Sequence, residues 1–342
     1  MKAAVLYGPA DLRYVDAPDP VPGPGEVVVR VHRASVCGSD IYRITGPGGA
    51  YHYPLIPGHE FAGEIVGPER AGERVTVIPL IPCRQCEPCE RGEYNLCDHY
   101  SYLGSRRNGG FAEYVAVPEV NIIPLPDSVD FEAGATIEAA GGALHVVRRA
   151  GIRPGAAVAV FGAGPIGLCA TQWALLTGAG QVVVVDPVER KRQLAMELGA
   201  SATVDPTAGS ASEAIRELTG GQGVDVALEF SGTPSGQFEC VAALKKHGVA
   251  VFYGISHQGL ELSPQLVDRI LRHELTVTGA WNADFSATAS NDWRIALDFV
   301  ARGRLKTRPL ITNRFPLSEA PAVFQRLAQP GHDMIKVVFE VA

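Results

Sequence analysis

Ala157-Val-Ala-Val-Phe161, Gly162-Ala-Gly164-Pro165-Ile166-Gly167, Leu168-Cys-Ala-Thr-Gln-Trp-Ala-Leu-Leu176, Gln181-Val-Val-Val-Val185-Asp186: the order is strand, glycine turn, helix, strand, acid. The first glycine permits the tight turn, the second lets a pyrophosphate approach the backbone, and the third lets the helix pack closely on the strand. The helix N-terminus then faces the phosphates. Asp186 follows at about the 20-residue distance expected of a carboxylate that hydrogen-bonds a ribose 2′-hydroxyl. A glycine triplet alone is weak. With both strands and the acid in place, it predicts a dinucleotide-binding βαβ unit.

No charged residue lies between Arg153 and Asp186, a stretch long enough for the ~20 apolar residues of a membrane span. Gly162, Gly164, Pro165, Gly167, Gly178 and Gly180 interrupt it where a βαβ unit needs turns, so no membrane association is expected.

The 342 residues allow about two domains at ~150 residues each. A hydrophobic share of 46% with 20% charge is that of a soluble globular protein. The net charge of −7 and the lack of a long basic run exclude nucleic acid as an expected partner. The opening Met1-Lys-Ala-Ala-Val-Leu-Tyr7 leads into a strand-like segment without the apolar core of a signal peptide, so a cytoplasmic location is expected.

The seven cysteines are an odd number with four crowded together, which suits a reducing compartment and metal binding better than disulfides. Cys83, Cys86, Cys89 and Cys97 offer four thiolates at short spacing. Four sulfurs close a tetrahedral shell around zinc and leave no place for substrate, so that site is expected to be structural. Cys169 and Cys240 sit in apolar helical stretches and are expected to be buried small hydrophobes.

Residues 1 to about 35 alternate apolar and polar, as in Glu26-Val-Val-Val-Arg30-Val-His32, and predict β structure. Cys37-Gly-Ser39-Asp40 and Pro57-Gly58-His59-Glu60 follow. Cysteine, histidine and carboxylate are zinc ligands, and a catalytic site needs about three of them with one position open. Phe131 to Ala140 reads as a helix whose Glu138 is either a solvated residue or a metal-site carboxylate; spacing alone does not decide.

Cys37, Gly58-His59-Glu60, the four-cysteine lobe, Gly109-Gly-Phe-Ala-Glu-Tyr114, Glu138 and the glycine turn, in this order, resemble the zinc-containing medium-chain alcohol and polyol dehydrogenases. The resemblance covers essentially the whole chain, to Pro309-Leu-Ile-Thr-Asn-Arg-Phe-Pro-Leu317. Leu103-Gly-Ser-Arg106-Arg107 and Ile270-Leu-Arg-His-Glu-Leu-Thr-Val277 look most like galactitol-1-phosphate 5-dehydrogenases, with sorbitol dehydrogenases close by.

The resemblance implies a doubly wound Rossmann domain at 149–282, inserted in a β-rich, GroES-like catalytic domain formed by 1–148 and 283–342, with substrate held in the cleft between them. It implies a catalytic zinc held by Cys37, His59 and Glu138, with Glu60 a ligand or near-ligand, and a structural zinc in the lobe, two ions per subunit. Ser39 takes the place of the family's hydroxyl beside the substrate oxygen, and Tyr42 stands where many relatives carry the relay histidine. A homodimer or homotetramer is expected.

Gly162, Gly164, Pro165, Ile166, Gly167 and Asp186 are the expected cofactor contacts, joined by Ser231 and Gly254 at the carboxyl ends of later strands. Arg190, Lys191 and Arg192 either accept a 2′-phosphate or form a solvated helix face; Asp186, nearest the ribose, favours NAD. Arg106, Arg107 and Arg43 are candidates for a polyol or phosphate contact, with a solvated loop as the alternative. The expected reaction interconverts a secondary alcohol and a ketose. A free polyol, a cyclitol or threonine are alternative substrates, and a non-catalytic NAD-binding module is the reading outside the enzymes.

Overall fold

The computed structural model describes residues 1–46, 49–67, 70–285, 291–329 and 331–341. The chain forms two compact units, Met1–Gly141 with Ala283–Ala342, and Gly142–Asn282. The unit boundary at 141 and the boundary at 148 expected from sequence fall in one helix, Ile137–Ala150.

In the inserted unit, six parallel strands lie in the order Ala202–Val204, Gln181–Val185, Ala157–Phe161, Val224–Glu229, Leu244–Phe252, Thr276–Gly279. The order reverses between Ala157–Phe161 and Val224–Glu229, and that switch point is where doubly wound sheets take their ligands. Valines dominate the central strands because both sheet faces are covered. The uncharged stretch noted above becomes the strand and the helix Pro165–Leu176, whose residues from Gly167 to Ala174 are all buried. At twelve residues the helix is about 18 Å long, well short of a bilayer. No helix among the described residues is long and apolar enough to cross a membrane.

In the other unit, Ile311–Pro316, Lys336–Glu340, Glu26–Ser35, Glu60–Val66, Arg74–Val77 and Ile122–Pro124 form one sheet, with Tyr114–Pro118 also paired to Glu26–Ser35. Phe61, Phe111, Phe324 and Phe339 pack in its core. Lys336–Glu340 lies inside the sheet beside Glu26–Ser35, with Val338 opposite Ser35, so strands far apart in sequence are direct neighbours. The single helix expected over the Glu138 region is broken. Phe131–Ala135 ends where Thr136 bonds the Ala133 carbonyl at 2.7 Å, and Ile137–Ala150 then starts, placing Glu138 in its first turn.

Candidate active site

Strand register assembles the site. Ser35 pairs with Glu60 across Glu26–Ser35 and Glu60–Val66, so Cys37, just past the end of one strand, meets His59, just before the start of the other. Cys37 caps the helix Gly38–Thr45, and its backbone N–H donates to Asp40 Oδ2 at 3.1 Å. Ligand atoms of Cys37, His59 and Glu60 all lie within 4.8 Å of one another.

Asp40 is fully buried; it accepts the Cys37 N–H and Arg43 Nη1, each at 3.1 Å, and stands 3.3 Å from His59 Nδ1. Burial opposes the ionised form of Asp40, yet the neighbouring His59 and Arg43 outweigh it and hold the carboxyl below its ordinary range. Burial likewise opposes a charged His59, and the carboxylate of Asp40 with the Cys37 sulfur raises it well above its ordinary value. Asp40 thereby fixes the imidazole as second-layer carboxylates do at metal sites.

Glu60 is buried, and its Oε2 accepts both the Ser35 hydroxyl and the Lys336 ammonium. Lys336 is 1% exposed and also donates to the Val36 carbonyl at 3.1 Å. Burial disfavours its charge; Glu60 restores it and raises the amine above its usual value. Glu60 Oε1 is buried with no hydrogen-bond partner among the described residues. A carboxylate oxygen in that condition, beside a thiol and an imidazole, fits a cation.

Glu138 is not among the three clustered ligands. Its Oε1 accepts the Tyr102 hydroxyl at 3.0 Å, and the Tyr102 ring meets the His59 ring edge-on at 5.6 Å between centroids. Burial pushes the Glu138 carboxyl up; His59 pulls it down and Glu60 pushes it further up. Glu138 thus borders the cluster, while Glu60 lies inside it. Ser39, one residue before Asp40, is half-buried.

The cysteine lobe is a second metal-competent cluster. Sulfurs of Cys83, Cys86, Cys89 and Cys97 lie within 4.8 Å of one another, and Cys86 Sγ stands 3.8 Å from Cys97 Sγ. Zn–S bonds of ~2.3 Å in a tetrahedron require a sulfur separation of about 3.8 Å, so the group suits zinc. The Gln85 N–H helps lower Cys83 to about 7, whereas burial pushes Cys89 up to about 12. Cys169 and Cys240 are buried, as expected.

In the inserted unit Gly162 adopts φ +97°, and a β-carbon on Gly167 would stand 1.9 Å from the Gly162 carbonyl oxygen. Only glycine fits either position. Gly164 caps the helix that Pro165 and Ile166 begin. Asp186 accepts the Ala163 N–H at 2.8 Å and the Val188 N–H at 2.9 Å, so the turn itself aims the acid. Arg192 bonds the Asp186 carbonyl at 2.7 Å and pairs with Asp205 at 3.0 Å, while Arg190 is exposed and Lys191 half-buried. Ser231 and Gly254 lie at the carboxyl ends of their strands, both bonded to Glu229.

The substrate arginines are dispersed. Arg43 is bonded to Asp40, Arg107 is paired with Glu26, and Arg106 is stacked between Tyr51 and Tyr100 at 4.5 and 4.3 Å. Arg106 and Arg107 therefore do not form a joint fork. His52, His99 and His257 are exposed. Ser35, Tyr102 and Lys336 were not foreseen from sequence, and Asp40 was quoted there only as part of the cysteine motif.

Two family models match the chain: "Alcohol dehydrogenase GroES-like domain" over residues 23–127 and "Zinc-binding dehydrogenase" over residues 165–302. The galactitol 1-phosphate 5-dehydrogenase of Escherichia coli K12 is 36% identical over 90% of this chain and 91% of its own length. The sorbitol dehydrogenase of Bacillus subtilis is 31% identical over 99% of this chain and 96% of its own. Among solved structures, a zinc-binding dehydrogenase from Sinorhizobium meliloti 1021 bound to NADP superposes with a TM-score of 0.90 at 34% identity, covering 99% of both chains.

Proposed function

Because the chain belongs to the zinc-containing medium-chain alcohol and polyol dehydrogenases, we propose that it moves hydride between a secondary alcohol of a polyol, or a polyol phosphate, and NAD, giving the ketose. The observation that carries the reading is the Cys37, His59 and Glu60 cluster, with an unpartnered carboxylate oxygen inside it and Glu138 at its border. A non-catalytic NAD-binding module has no use for this buried constellation.

Cys37 and His59 would hold the catalytic metal, with Glu60 and Glu138 supplying carboxylate, and Cys83, Cys86, Cys89 and Cys97 would hold a second, structural ion. Zinc, when bound, supplies a Lewis acid that lowers the pKa of a substrate hydroxyl. Asp40 holds His59 through Nδ1 and leaves Nε2 as its ligating atom. Lys336 balances the charge of Glu60, so the buried carboxylates do not repel a developing negative charge on the substrate. Ser39 occupies the place of the hydroxyl that would pass on the proton leaving the substrate, and Tyr42 stands where many relatives carry the relay histidine. The glycine turn with Asp186 would hold the adenosine half of a nicotinamide cofactor, which when bound supplies the hydride acceptor. The Asp186 carboxylate repels a 2′-phosphate, which favours NAD over NADP.

Arg107 and Arg43 are engaged by acids, so recognition of a phosphate rests on Arg106. Homo-oligomerisation is supported by the edge strand Thr276–Gly279, where Val277 is 42% and nearby Trp281 41% exposed. The functional test is NADH formation with galactitol 1-phosphate, galactitol, sorbitol, xylitol, threonine and a cyclitol. Turnover of the polyols supports the assignment; turnover of threonine alone overturns it. A preference for the phosphorylated polyol that Arg106→Ala abolishes supports the phosphate contact.

A further inference from the structure

Glu229 is the last residue of Val224–Glu229, lies opposite Phe161 on one side and Phe252 on the other, and is 0% exposed. It therefore ends the strand that borders the switch point, beside the strand that feeds the glycine turn. A buried carboxylate is costly unless satisfied. This one is satisfied entirely by neutral donors: the Ser231 N–H at 2.7 Å, the Ser231 hydroxyl, and the Gly232 N–H at 3.0 Å. Its own backbone carbonyl receives the Tyr253 N–H at 2.9 Å and the Gly254 N–H at 3.0 Å. One residue thus ties together the turns that follow two adjacent strands.

The tie reaches the glycine turn as well. Phe230 N–H bonds the Phe161 carbonyl at 2.8 Å, and a β-carbon on Gly162 would stand 3.0 Å from Ser231 N. A displaced Ser231–Gly232 segment would have to move against Gly162, whose close packing already excludes any larger residue. The carboxylate takes no part in the strand pairing; its bonds go to Ser231 and Gly232.

We propose that Glu229 is a positioning residue for the dinucleotide: its carboxylate holds the Ser231–Gly232 turn against Gly162 and Gly254 and so shapes the surface on which the cofactor lies. The proposal rests on the nicotinamide-cofactor reading above. Burial pushes the Glu229 carboxyl up, which fits a group with no cation beside it.

The test is the dissociation constant of NADH, and separately of NADPH, followed by nicotinamide fluorescence with the zinc-replete enzyme, its Glu229→Gln variant and its Glu229→Asp variant. Glutamine keeps one neutral oxygen acceptor but removes the charge and puts N–H₂ where Oε2 meets the Gly232 N–H at 3.2 Å, and aspartate keeps the charge but withdraws it by one methylene. Loss of bonds to a charged acceptor weakens NADH binding about tenfold in each variant, with KM for the nucleotide raised, KM for the alcohol unchanged and zinc content unchanged. Should Glu229→Gln not fold, Glu229→Asp carries the comparison. Unchanged NADH affinity in a folded variant overturns the proposal, and so does an equal loss of zinc. A wild-type enzyme that binds neither nucleotide instead overturns the cofactor reading.

Discussion

His59 Nδ1 lies 3.3 Å from Asp40 Oδ1, and the same buried carboxylate takes the backbone N–H of Cys37. Asp40 therefore orients two metal-ligand candidates that come from different elements. Asn in its place keeps the size and removes the charge. Asp40→Asn is expected to weaken catalytic zinc binding by about 10–100-fold, measured by competition with a chromophoric chelator, and to lower kcat/KM comparably at limiting zinc.

Lys336 and Glu60 form an ion pair with both members buried. Removing one partner of such a pair strands the other, at a cost of ~3–5 kcal/mol. Lys336→Met should lower the unfolding free energy of the catalytic unit by about that amount in urea, and Lys336→Met with Glu60→Gln should recover much of it. A Lys336→Met chain with wild-type stability would show that the pair carries no such coupling.

Cys89 is buried in a cluster with no position left for substrate. Cys89→Ser is expected to reduce zinc from about two ions per chain to about one. The melting temperature should fall while KM for the alcohol holds. Metal analysis and calorimetry on one preparation decide it.

Arg314 bonds Glu132 through two nitrogens, at 2.7 and 2.8 Å, and joins the strand Ile311–Pro316 to the helix Phe131–Ala135. The arginine's hydrogen bonds hold the Glu132 carboxyl below its ordinary range, against the opposing effect of burial. A depressed carboxylate contributes stability above its unfolded value, near ~4.3, and loses it as pH falls through the lower folded value. Both groups are partly exposed, so the contribution is about 0.5–1 kcal/mol. Wild type should exceed Glu132→Gln by that margin in urea at neutral pH, with the difference vanishing in acid.

The cysteine lobe and the glycine turn were legible because their chemistry is carried by residue types at short spacing, and because Asp186 follows the turn at a fixed distance; the Cys37 and His59 site was implied by resemblance alone, which put Glu138 among the ligands where the structure clusters Glu60. Lys336 was not legible. It reaches Glu60 across 276 residues, through a strand register that no local pattern specifies. Tyr102 and Ser35 are equally ordinary in sequence and acquire meaning only from Glu138 and Glu60. The break at Thr136 was missed since the apolar pattern runs through it, while a side-chain bond to Ala133 ends the first helix. Arg106 and Arg107, adjacent in sequence, point to different partners, Tyr100 and Glu26, a divergence that no local pattern specifies.

The central claim is zinc-dependent hydride transfer from a polyol to NAD. Its most direct measurement is the rate of absorbance change at the NADH band with sorbitol, galactitol or galactitol 1-phosphate, using enzyme stripped of metal, the same enzyme after zinc is restored, and the Cys37→Ser variant with zinc present. The account predicts activity only in the restored wild type, with NAD preferred to NADP. Full turnover by the stripped enzyme, or by Cys37→Ser, would contradict it.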